Sequence, residues 1–456
     1  MTRSATRLIA MATAMALALV GCSGSKVPAQ SDQSALESGI KAPPVPKDDV
    51  DHTSSTTTST NGSASPTTSP TAATPTYWVD PKGDDAAAGT KAAPFHTLHH
   101  GVGVLKPGDT LLLSTGTYTE VDAQSSVIIN GLNGTADQWI TIAAAPGAKP
   151  KVNGGEWQIF LIENSSYVEV RGLEIEGSAA TDRKPTTGIE VRDSHHLRLA
   201  SNYVHDGGGG GIGASKSNHI EILDNYISGM SKWNAFQTSG ISTFESSDIG
   251  GSPDADGYSM HITGNVVFGN ENIALPVAGG SAVTDGNCII IDTQDTTSYT
   301  GKTYIANNVC SNNGGRGIHV FQSSNVVAVN NTLYHNMQTP KLKEEGAELS
   351  AVNAHNVVFR NNLVVPRADR KATVNSGAKS VSFDTNIYEQ TSGSAEGNTN
   401  RVVTDAGLAN PAEGDFSLKR GSPAIDAGNA ADAPSADQKH TVRRGKPDVG
   451  ALEASS

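Results

Sequence analysis

The sequence has few of the features that define helical bundles, membrane proteins or nucleic-acid-binding proteins. Only 5% of its 456 residues are aromatic, whereas glycine occurs 48 times, which favours tight turns and small inward side chains over a helical bundle. The formal net charge of −13 argues against a nucleic-acid partner, because binding phosphates requires a basic face. After the N-terminus, no apolar run is long enough to span a bilayer.

The N-terminal 76 residues are predicted to serve targeting rather than folding. Arg3 and Arg7 precede an apolar stretch over residues 8–20, and this short length with a basic flank is typical of a signal peptide. The stretch ends in Leu-Val-Gly-Cys22, which resembles the bacterial lipobox; the resemblance implies cleavage before Cys22 and lipidation of its thiol. Residues 23–76 are rich in Ser, Thr, Pro, Ala and Gly and predict a disordered tether. We therefore expect a lipid-anchored protein of the cell envelope that faces outward.

An asparagine recurs through the centre of the chain, each time followed two positions later by an aliphatic residue or cysteine. The members are Asn202, Asn225, Asn265, Asn308, Asn331 and Asn362. Apolar residues alternate before each of them, and such alternation predicts strands with one face in the core that stack as rungs. Intervals of 23 to 43 residues indicate long insertions in some rungs. We expect each asparagine to lie in the bend after its strand, with left-handed backbone and a hydrogen bond to the next rung.

These repeats predict an all-β parallel β-helix over residues 77–395, because a stack of coils buries an apolar side that one coil cannot. A short amphipathic helix over residues 95–105 is expected to cover the N-terminal end of the stack. Residues 396–456 are expected to form a closing cap at the other end, through Ser422–Gly428 and Pro447–Glu453. We expect a monomer.

The end motifs and the asparagine rungs together resemble the secreted bacterial right-handed parallel β-helix proteins of the pectate-lyase-like class. The resemblance covers about residues 77 to 453. It implies a right-handed helix and a polysaccharide partner, in a class that includes lyases, hydrolases, epimerases and noncatalytic adhesins. Fold does not decide among these, so the site must.

A second strand series aligns on a glycine column and defines two columns that face solvent. The first outward column is Glu190, Gly213, Ser242, Ile290, His319 and Ser350; the second is Arg192, Ser215, Phe244, Asp292, Phe321 and Val352. Asn287 and Arg316 lie just before the glycine column. Because rungs are about 4.8 Å apart, residues adjacent in a column are neighbours in space. The sequence thus predicts a polar patch flanked by Phe244 and Phe321, which suits a sugar polymer.

The cysteines follow the same columns. Cys310 stands where other rungs have Val, Ile or Leu, and Cys288 stands where they have Gly. Three cysteines are too few for a disulfide framework. The pattern favours a buried thiol at Cys310 over a bond to Cys288.

The patch holds groups suited to β-elimination on a uronic acid polymer, which needs a base, a group that neutralises the carboxylate and an acid. Arg316 can pair with a carboxylate, and His319 can act as base or acid. Asp292 can orient His319, support Arg316 or help to hold Ca²⁺. The alternative is that Asp292 and Arg316 form a solvated ion pair and that His319 is incidental.

Other residues are candidates for substrate contact. Lys232 and Trp233 lie on an insertion that can overhang the groove, and Trp233 can either stack on a sugar ring or fill the core of its loop. Glu348 is the best placed of an acidic cluster whose default role is a solvated turn. The Asp254–Asp256 segment is interpreted as a turn rather than a cation loop.

The sequence predicts an anchored enzyme that cleaves a polysaccharide, by elimination in preference to hydrolysis. A glycoside hydrolase would use paired carboxylates, Asp292 with Glu348 or Asp285. A noncatalytic glycan-binding or envelope-structural protein is the third hypothesis, for which aromatic and polar groove residues suffice.

Overall fold

The fold is seen in a computed structural model that describes residues 75–119, 125–177, 183–277, 282–342, 346–390 and 396–454. The predicted signal peptide, the lipidation site at Cys22 and residues 23–74 of the predicted tether lie outside the described residues.

Strands dominate the described chain and follow one another from its first residues to the C-terminal segment. The N-terminal coils contain β1 (Thr76–Val79), β2 (Thr110–Leu113), β3 (Gly116–Thr119), β4 (Ser125–Asn130), β5 (Ile140–Ala144), β6 (Pro150–Asn153), β7 (Gln158–Glu163), β8 (Ser166–Arg171) and β9 (Glu174–Glu176). The central coils contain β10 (Thr187–Arg192), β11 (His195–Ala200), β12 (Tyr203–His205), β13 (Ile212–Ser215), β14 (Asn218–Leu223), β15 (Tyr226–Ser228), β16 (Ile241–Phe244), β17 (Met260–Thr263), β18 (Val266–Phe268), β19 (Ile289–Asp292), β20 (Thr303–Ala306) and β21 (Val309–Ser311). The last coils contain β22 (Ile318–Phe321), β23 (Ser324–Val329), β24 (Thr332–Tyr334), β25 (Ala347–Val352), β26 (His355–Arg360), β27 (Leu363–Val365), β28 (Lys371–Ser376), β29 (Lys379–Asp384), β30 (Ile387–Glu389) and β31 (Arg401–Val403), and a hairpin of β32 (Leu408–Asn410) and β33 (Asp415–Leu418) follows. Three short 3-10 turns lie at Gln294–Thr296, Pro340–Leu342 and Pro411–Glu413.

Three long sheets form the walls of a parallel β-helix, which confirms the predicted fold. Sheet 1 runs β1-β2-β5-β8-β11-β14-β17-β20-β23-β26-β29, sheet 2 runs β3-β6-β9-β12-β15-β18-β21-β24-β27-β30-β31, and sheet 3 runs β4-β7-β10-β13-β16-β19-β22-β25-β28. Each coil passes from sheet 1 through sheet 2 to sheet 3, and the inward residues of all three fill one continuous core. Because β31 ends at Val403, the stack continues past the predicted boundary at residue 395.

A ladder of buried asparagines joins successive coils at the bend from sheet 1 to sheet 2. Asn265 shows the pattern: its Nδ2 donates to Asn308 Oδ1 at 2.9 Å, and its Oδ1 accepts from the backbone and side-chain nitrogens of Asn225 at 2.9 and 3.0 Å. The ladder extends beyond the predicted six positions to Asn386 and Asn400. The predicted hydrogen bonding is confirmed, but the left-handed backbone belongs to the preceding residue. Those preceding residues are Ser201, Asp224, Gly264, Asn307, Asn330 and Asn361.

Cys288 and Cys310 form a disulfide with an S–S distance of 1.96 Å, so the preference for a buried thiol was wrong. The physical reason lies in two facing columns of the core. A Cβ on Gly240 would lie 2.5 Å from Val267, and one on Gly317 would lie 2.3 Å from Leu333, so each glycine makes room for an aliphatic side chain of sheet 2. In the coil between them a cysteine replaces both members of the pair, and the two small side chains fill the same space as a bond.

One α-helix, α1 (Leu98–Gly103), covers the N-terminal end of the stack, as predicted, although it is shorter than residues 95–105. Thr97 caps it by accepting a hydrogen bond from His100 N, and Leu98 and Val102 are buried in the core beside β1. Within the described residues, no helix has the length and apolar content to cross a membrane.

Most of the described C-terminal segment lies along the outside of sheet 2, while its first residues lie against the last coil, where Asn400 Nδ2 donates to Phe383 O at 3.0 Å. Leu408, Phe416 and Val449 pack on Val309 and Leu363, residues of sheet 2 that point away from the helix interior. Backbone contacts hold the segment in place, including Gly450 N to Asn361 O at 2.8 Å. The segment is needed there because apolar side chains on the outer face of a sheet must be covered.

We predict that Asn265→Ala lowers the free energy of unfolding by at least about 1–3 kcal/mol, because it leaves buried donors and acceptors of Asn225 and Asn308 unsatisfied. Thermal and denaturant unfolding monitored by circular dichroism measure the change. The matched control is Asn375→Ala, an exposed position of β28 at the end of sheet 3, for which we expect a change within about 0.5 kcal/mol. Equal destabilisation by the two substitutions would refute the role of the ladder.

Candidate functional site

The outer face of sheet 3 carries both predicted columns in the predicted register. β19 pairs with β22 so that Ile290 lies opposite His319 and Asp292 opposite Phe321, and β16 places Phe244 beside Asp292 on the other side. The prediction of neighbouring side chains on one wall is therefore confirmed. Their exposure, however, differs from one residue to the next.

Asp292 is partly exposed on this face, between Phe244 and Phe321. Burial, with the nearby charges of Asp285 and Glu245, raises its pKa to about 7 against the effect of a hydrogen bond from the Thr293 hydroxyl. A carboxyl group with this pKa can give or take a proton near neutral pH, as a catalytic acid or base must.

Arg316 and Asn287 lie behind the face and support a loop. Arg316 is only 7% exposed and its Nη1 donates to Thr284 O at 2.8 Å, while Asn287 is fully buried and its Nδ2 donates to Asp285 Oδ1 at 2.7 Å. The predicted substrate contact of Asn287 is therefore wrong, because its amide is occupied in holding Asp285. Arg316 is likewise buried, and its Nη1 is bound to Thr284 O, which excludes a direct two-pronged contact with a sugar carboxylate.

The guanidinium of Arg316 instead sets local charge. It lowers the pKa of Asp285, which burial raises, and it lowers the pKa of His319. Within the described residues no ion pair joins Arg316 to Asp292, so the alternative of a simple solvated pair between them does not hold.

His319 lies on this face beside Phe321, with ring centroids 5.8 Å apart, and is 4% exposed. Burial and the charge of Arg316 hold the pKa of His319 well below its usual range, although a hydrogen bond to the Ser350 backbone opposes them. The imidazole is therefore neutral at pH 7. In the described part of the chain its Nδ1 is buried and has no hydrogen-bond partner.

Glu348 does not reach the face, and its predicted substrate contact is wrong. It is fully buried, and its carboxyl oxygens accept from Asn336 N at 2.8 Å and Asn336 Nδ2 at 2.6 Å. It ends a second ladder that runs through Asn270, Asn313 and Asn336. Burial raises the pKa of Glu348 to about 8.

Glu190 and Arg192 lie further along the same sheet, where they bind each other and their neighbours. Arg192 Nη1 is 3.3 Å from Glu163, and Glu190 accepts from Ser215 Oγ at 3.0 Å. Burial raises the pKa of Glu190, against the charge of Arg192. This network is three rungs from Asp292 and separate from the patch.

Lys232 and Trp233 lie on the loop that precedes β16, at the edge of sheet 3, as predicted. Two cationic side chains make cation–π contacts with the Trp233 ring: Arg183 Cζ lies 4.8 Å and Lys232 Nζ 5.4 Å from its centroid. In an acidic protein this is a local concentration of positive charge next to an aromatic surface.

Sequence reasoning missed Phe236, Trp157 and Glu245. Phe236 is 43% exposed on the same loop, and its ring centroid is 6.2 Å from that of Trp157, which precedes β7. Glu245 directly follows β16 and raises the pKa of Asp292. The sequence signal for Glu245 was its place directly after Phe244, the last residue of the predicted strand. The Trp157–Phe236 contact depends on loop conformation, and no feature of the sequence indicated it.

The patch also contains carboxyl groups of the kind that bind Ca²⁺. Asp285, Asp292 and Glu245 offer the oxygen ligands that Ca²⁺ prefers. Among the described residues, the acidic and histidine clusters with ligand atoms within 4.8 Å of one another do not include these three. The patch therefore has suitable donors but no ready-made cage.

Comparisons with known proteins agree with the architecture. Residues 77–275 match a family described as "Pel9A-like, right handed beta helix region", and residues 254–405 match one described as "Right handed beta helix region". The structure of pectate lyase Pel9A superposes with a TM-score of 0.51 at 17% identity, over 84% of this chain and 96% of that one. A rhamnogalacturonan lyase gives a TM-score of 0.44 at 15% identity, over 73% and 90% of the two chains.

A curated relative from Bacillus subtilis (strain 168), the uncharacterized protein YwoF, is 26% identical over 241 residues. The match spans 46% of this chain and 45% of that protein, less than half of either. At these identities the likeness shows the fold, and the right hand of the helix, but not the chemistry.

We predict that Asp292→Asn stabilises the protein more at pH 8 than at pH 4.5. The unfolded carboxyl group ionises near its ordinary pKa of 3.8, whereas the folded one keeps its proton to about pH 7, so the wild type loses stability as the pH rises between these values. The measurement is the difference in melting temperature between variant and wild type at the two pH values. Asp193→Asn is the control, because Asp193 is exposed and should show the same difference at both. A pH-independent difference for Asp292→Asn would contradict the raised pKa.

Proposed function

We propose that this chain, a right-handed parallel β-helix protein of the pectate-lyase-like class, is a carbohydrate-active enzyme that cleaves a uronic-acid-containing polysaccharide by β-elimination. The reaction takes place on the outer face of sheet 3, at the patch around Asp292.

One observation carries the proposal: neighbouring rungs hold a carboxyl group that is protonated up to about pH 7 and an imidazole that is neutral there. Burial disfavours both charged forms, so it raises the pKa of the carboxyl group and lowers the pKa of the imidazole. The result is an acid and a base that coexist near neutral pH within one patch. That combination is what an elimination requires.

The steps then follow from the chemistry of a uronate. His319 takes the proton from C5, the electron pair forms the C4–C5 double bond, the C4–O bond breaks, and Asp292 gives its proton to the leaving oxygen. Phe244 and Phe321 flank Asp292 and provide apolar surfaces on which sugar rings can lie. Arg316 acts as a positioning residue that keeps His319 neutral and holds the Thr284–Asp285 loop.

The cations around Trp233 support an acidic polymer as substrate. Lys232 and Arg183 attract carboxylates at the edge of sheet 3, where the aromatic ring contacts the sugar. This local charge counters the repulsion expected from the net charge of −13.

A glycoside hydrolase is the second candidate, and one observation favours it. Asp285 is close enough to Asp292 to raise its pKa, so the patch holds two carboxyl groups whose environments differ. A pair of this kind is the machinery of glycoside hydrolysis. Glu348 is excluded as the partner because it is buried in the second ladder.

We predict that the full-length protein, incubated with a panel of uronic-acid-containing and neutral polysaccharides, releases products with the ultraviolet absorbance of unsaturated uronates. Asp292→Asn and the volume-conserving His319→Gln each lower the initial rate by about 100-fold or more, the usual contribution of a general acid or base. The rate falls above about pH 7, where Asp292 loses its proton.

The same assay separates the alternatives. Asp193→Asn is the matched control and keeps the wild-type rate, because it lies at an exposed turn away from the patch. Reducing ends without absorbance would replace elimination by hydrolysis, and binding without either product would leave a noncatalytic glycan-binding protein. Wild-type rates in both patch variants, with folding verified by circular dichroism, would remove this face from the mechanism.

We also propose that the protein is a lipid-anchored, outward-facing protein of the cell envelope. The lipobox-like Leu-Val-Gly-Cys22 supports an anchor, and the Cys288–Cys310 disulfide supports an oxidising compartment outside the cytosol.

For the anchor we predict that the mature protein begins at a lipidated Cys22 and fractionates with membranes, and that Cys22→Ala abolishes both. Intact-mass spectrometry and membrane fractionation provide the measurements. Cys288→Ala is the control, since it removes another cysteine without touching the anchor. A soluble mature wild-type protein with an unmodified N-terminus would disprove the anchor.

A further inference from the structure

A column of rings lies on the outer face of sheet 1, away from the patch of sheet 3. Tyr167, His196 and His219 occupy equivalent positions in β8, β11 and β14, each with left-handed backbone, at φ of 55°, 54° and 49°. The rings stack, with centroids 4.5 Å apart from Tyr167 to His196 and 4.2 Å from His196 to His219. The repeated backbone therefore brings two imidazoles of distant segments face to face.

The loop over residues 245–259, between β16 and β17, folds across this column. A Cβ on Gly250 would lie 2.8 Å from His195, so the loop backbone is in close contact with the histidines. Asp254 follows, with Oδ1 3.3 Å from His219 Nδ1 and Oδ2 3.4 Å from His261 Nε2. One carboxylate thus contacts imidazoles from two strands.

The ring nitrogens are themselves close together. His195 Nδ1 lies 2.8 Å from His196 Nδ1, so one ring donates and the other accepts. His219 is 3% exposed, and in the described part of the chain its Nε2 has no hydrogen-bond partner.

We propose that His196, His219 and Asp254 form a binding site for a divalent transition-metal ion, Zn²⁺ in the first instance, that fastens the 245–259 loop to sheet 1. Each of the three offers one ligand atom, and these atoms all lie within 4.8 Å of one another. A tetrahedral ion with ligands at about 2.0–2.1 Å needs them about 3.4 Å apart, so the two stacked imidazoles must turn out of their parallel arrangement to point their lone pairs at it.

The donor set fits such an ion better than calcium. Two imidazoles and one carboxylate are ligands of Zn²⁺ in open sites, whereas Ca²⁺ takes oxygen ligands almost alone. A surface depression of about 410 Å³ adjoins Asp254 and is lined by Glu221, Asp256 and His261.

Stacking alone does not account for the arrangement. Phe359 and Phe383 also stack in this sheet, with centroids 5.0 Å apart. Ring stacking in sheet 1 therefore does not by itself explain why Asp254 lies against the histidines. A second group, Glu174, Glu176 and His205, also meets the geometric condition for a metal, but Lys151 already lies 2.8 and 3.1 Å from its two carboxylates. The site on sheet 1 has no such cation in its midst among the described residues.

The test uses the full-length chain, purified without a histidine tag and stripped with a chelator. Titration calorimetry with Zn²⁺ alone should show one ion per chain, and Co²⁺ substitution should give the visible absorbance of a tetrahedral site. Zn²⁺ should also raise the melting temperature. Asp254→Asn and His219→Ala should each weaken binding by more than about 100-fold, beyond the effect of losing an outer-shell partner.

Two controls keep the result interpretable. His96→Ala removes an exposed histidine of the N-terminal region and His205→Ala disables the second cluster; both should bind Zn²⁺ as the wild type does. Asp254→Asn leaves the ring stack intact, so its loss of binding cannot come from unfolding of sheet 1. Absence of Zn²⁺ binding by the wild type, or binding unchanged in Asp254→Asn and His219→Ala, would overturn the proposal.

Discussion

The asparagine ladder is the constraint on which the outer surfaces of this protein depend. The ladder amides from Asn202 to Asn386 are buried and bridge successive coils, so a slip of one residue would leave several polar atoms without partners and would turn the outer columns inward. The ladder therefore fixes the register of all three sheets while insertions between rungs vary freely. Asp292 and His319 are neighbours, and so are His196 and His219, because of contacts made elsewhere on the coil.

This dependence explains how much the sequence could predict. Alternation and the glycine column define the register of sheet 3, and every predicted pairing of its outward columns from β10 to β25 was correct. Burial on the outer side was not predictable from alternation, because it depends on loops. The predicted substrate contact of Asn287 was wrong for this reason, whereas Glu348 is buried because it stands in the glycine column and binds Asn336. A signal existed for the second ladder: Asn270, Asn313 and Asn336 repeat the 43- and 23-residue spacings of the first ladder.

The disulfide could be predicted only by comparing two columns of the core with each other, not from either column alone. Gly240 with Val267 and Gly317 with Leu333 are small–large pairs across the core, and Cys288 with Cys310 occupies the coil between them. Each cysteine taken alone suggests a buried thiol. Taken together, a larger residue in the glycine column and a smaller one in the aliphatic column compensate each other, which is the condition for a bond across the core.

Two polar sites on different walls follow from one core, and they share no ligand-binding residue. The patch around Asp292 lies on sheet 3, and the histidine column lies on sheet 1 under the 245–259 loop. Both are attached to β16, whose last residue, Phe244, flanks Asp292 and whose following loop carries Asp254. A metal ion that fastens this loop would therefore also hold the end of β16, including Glu245, whose charge helps to keep Asp292 protonated. Binding on one wall can in this way tune acidity on the other without any contact between the two ligands.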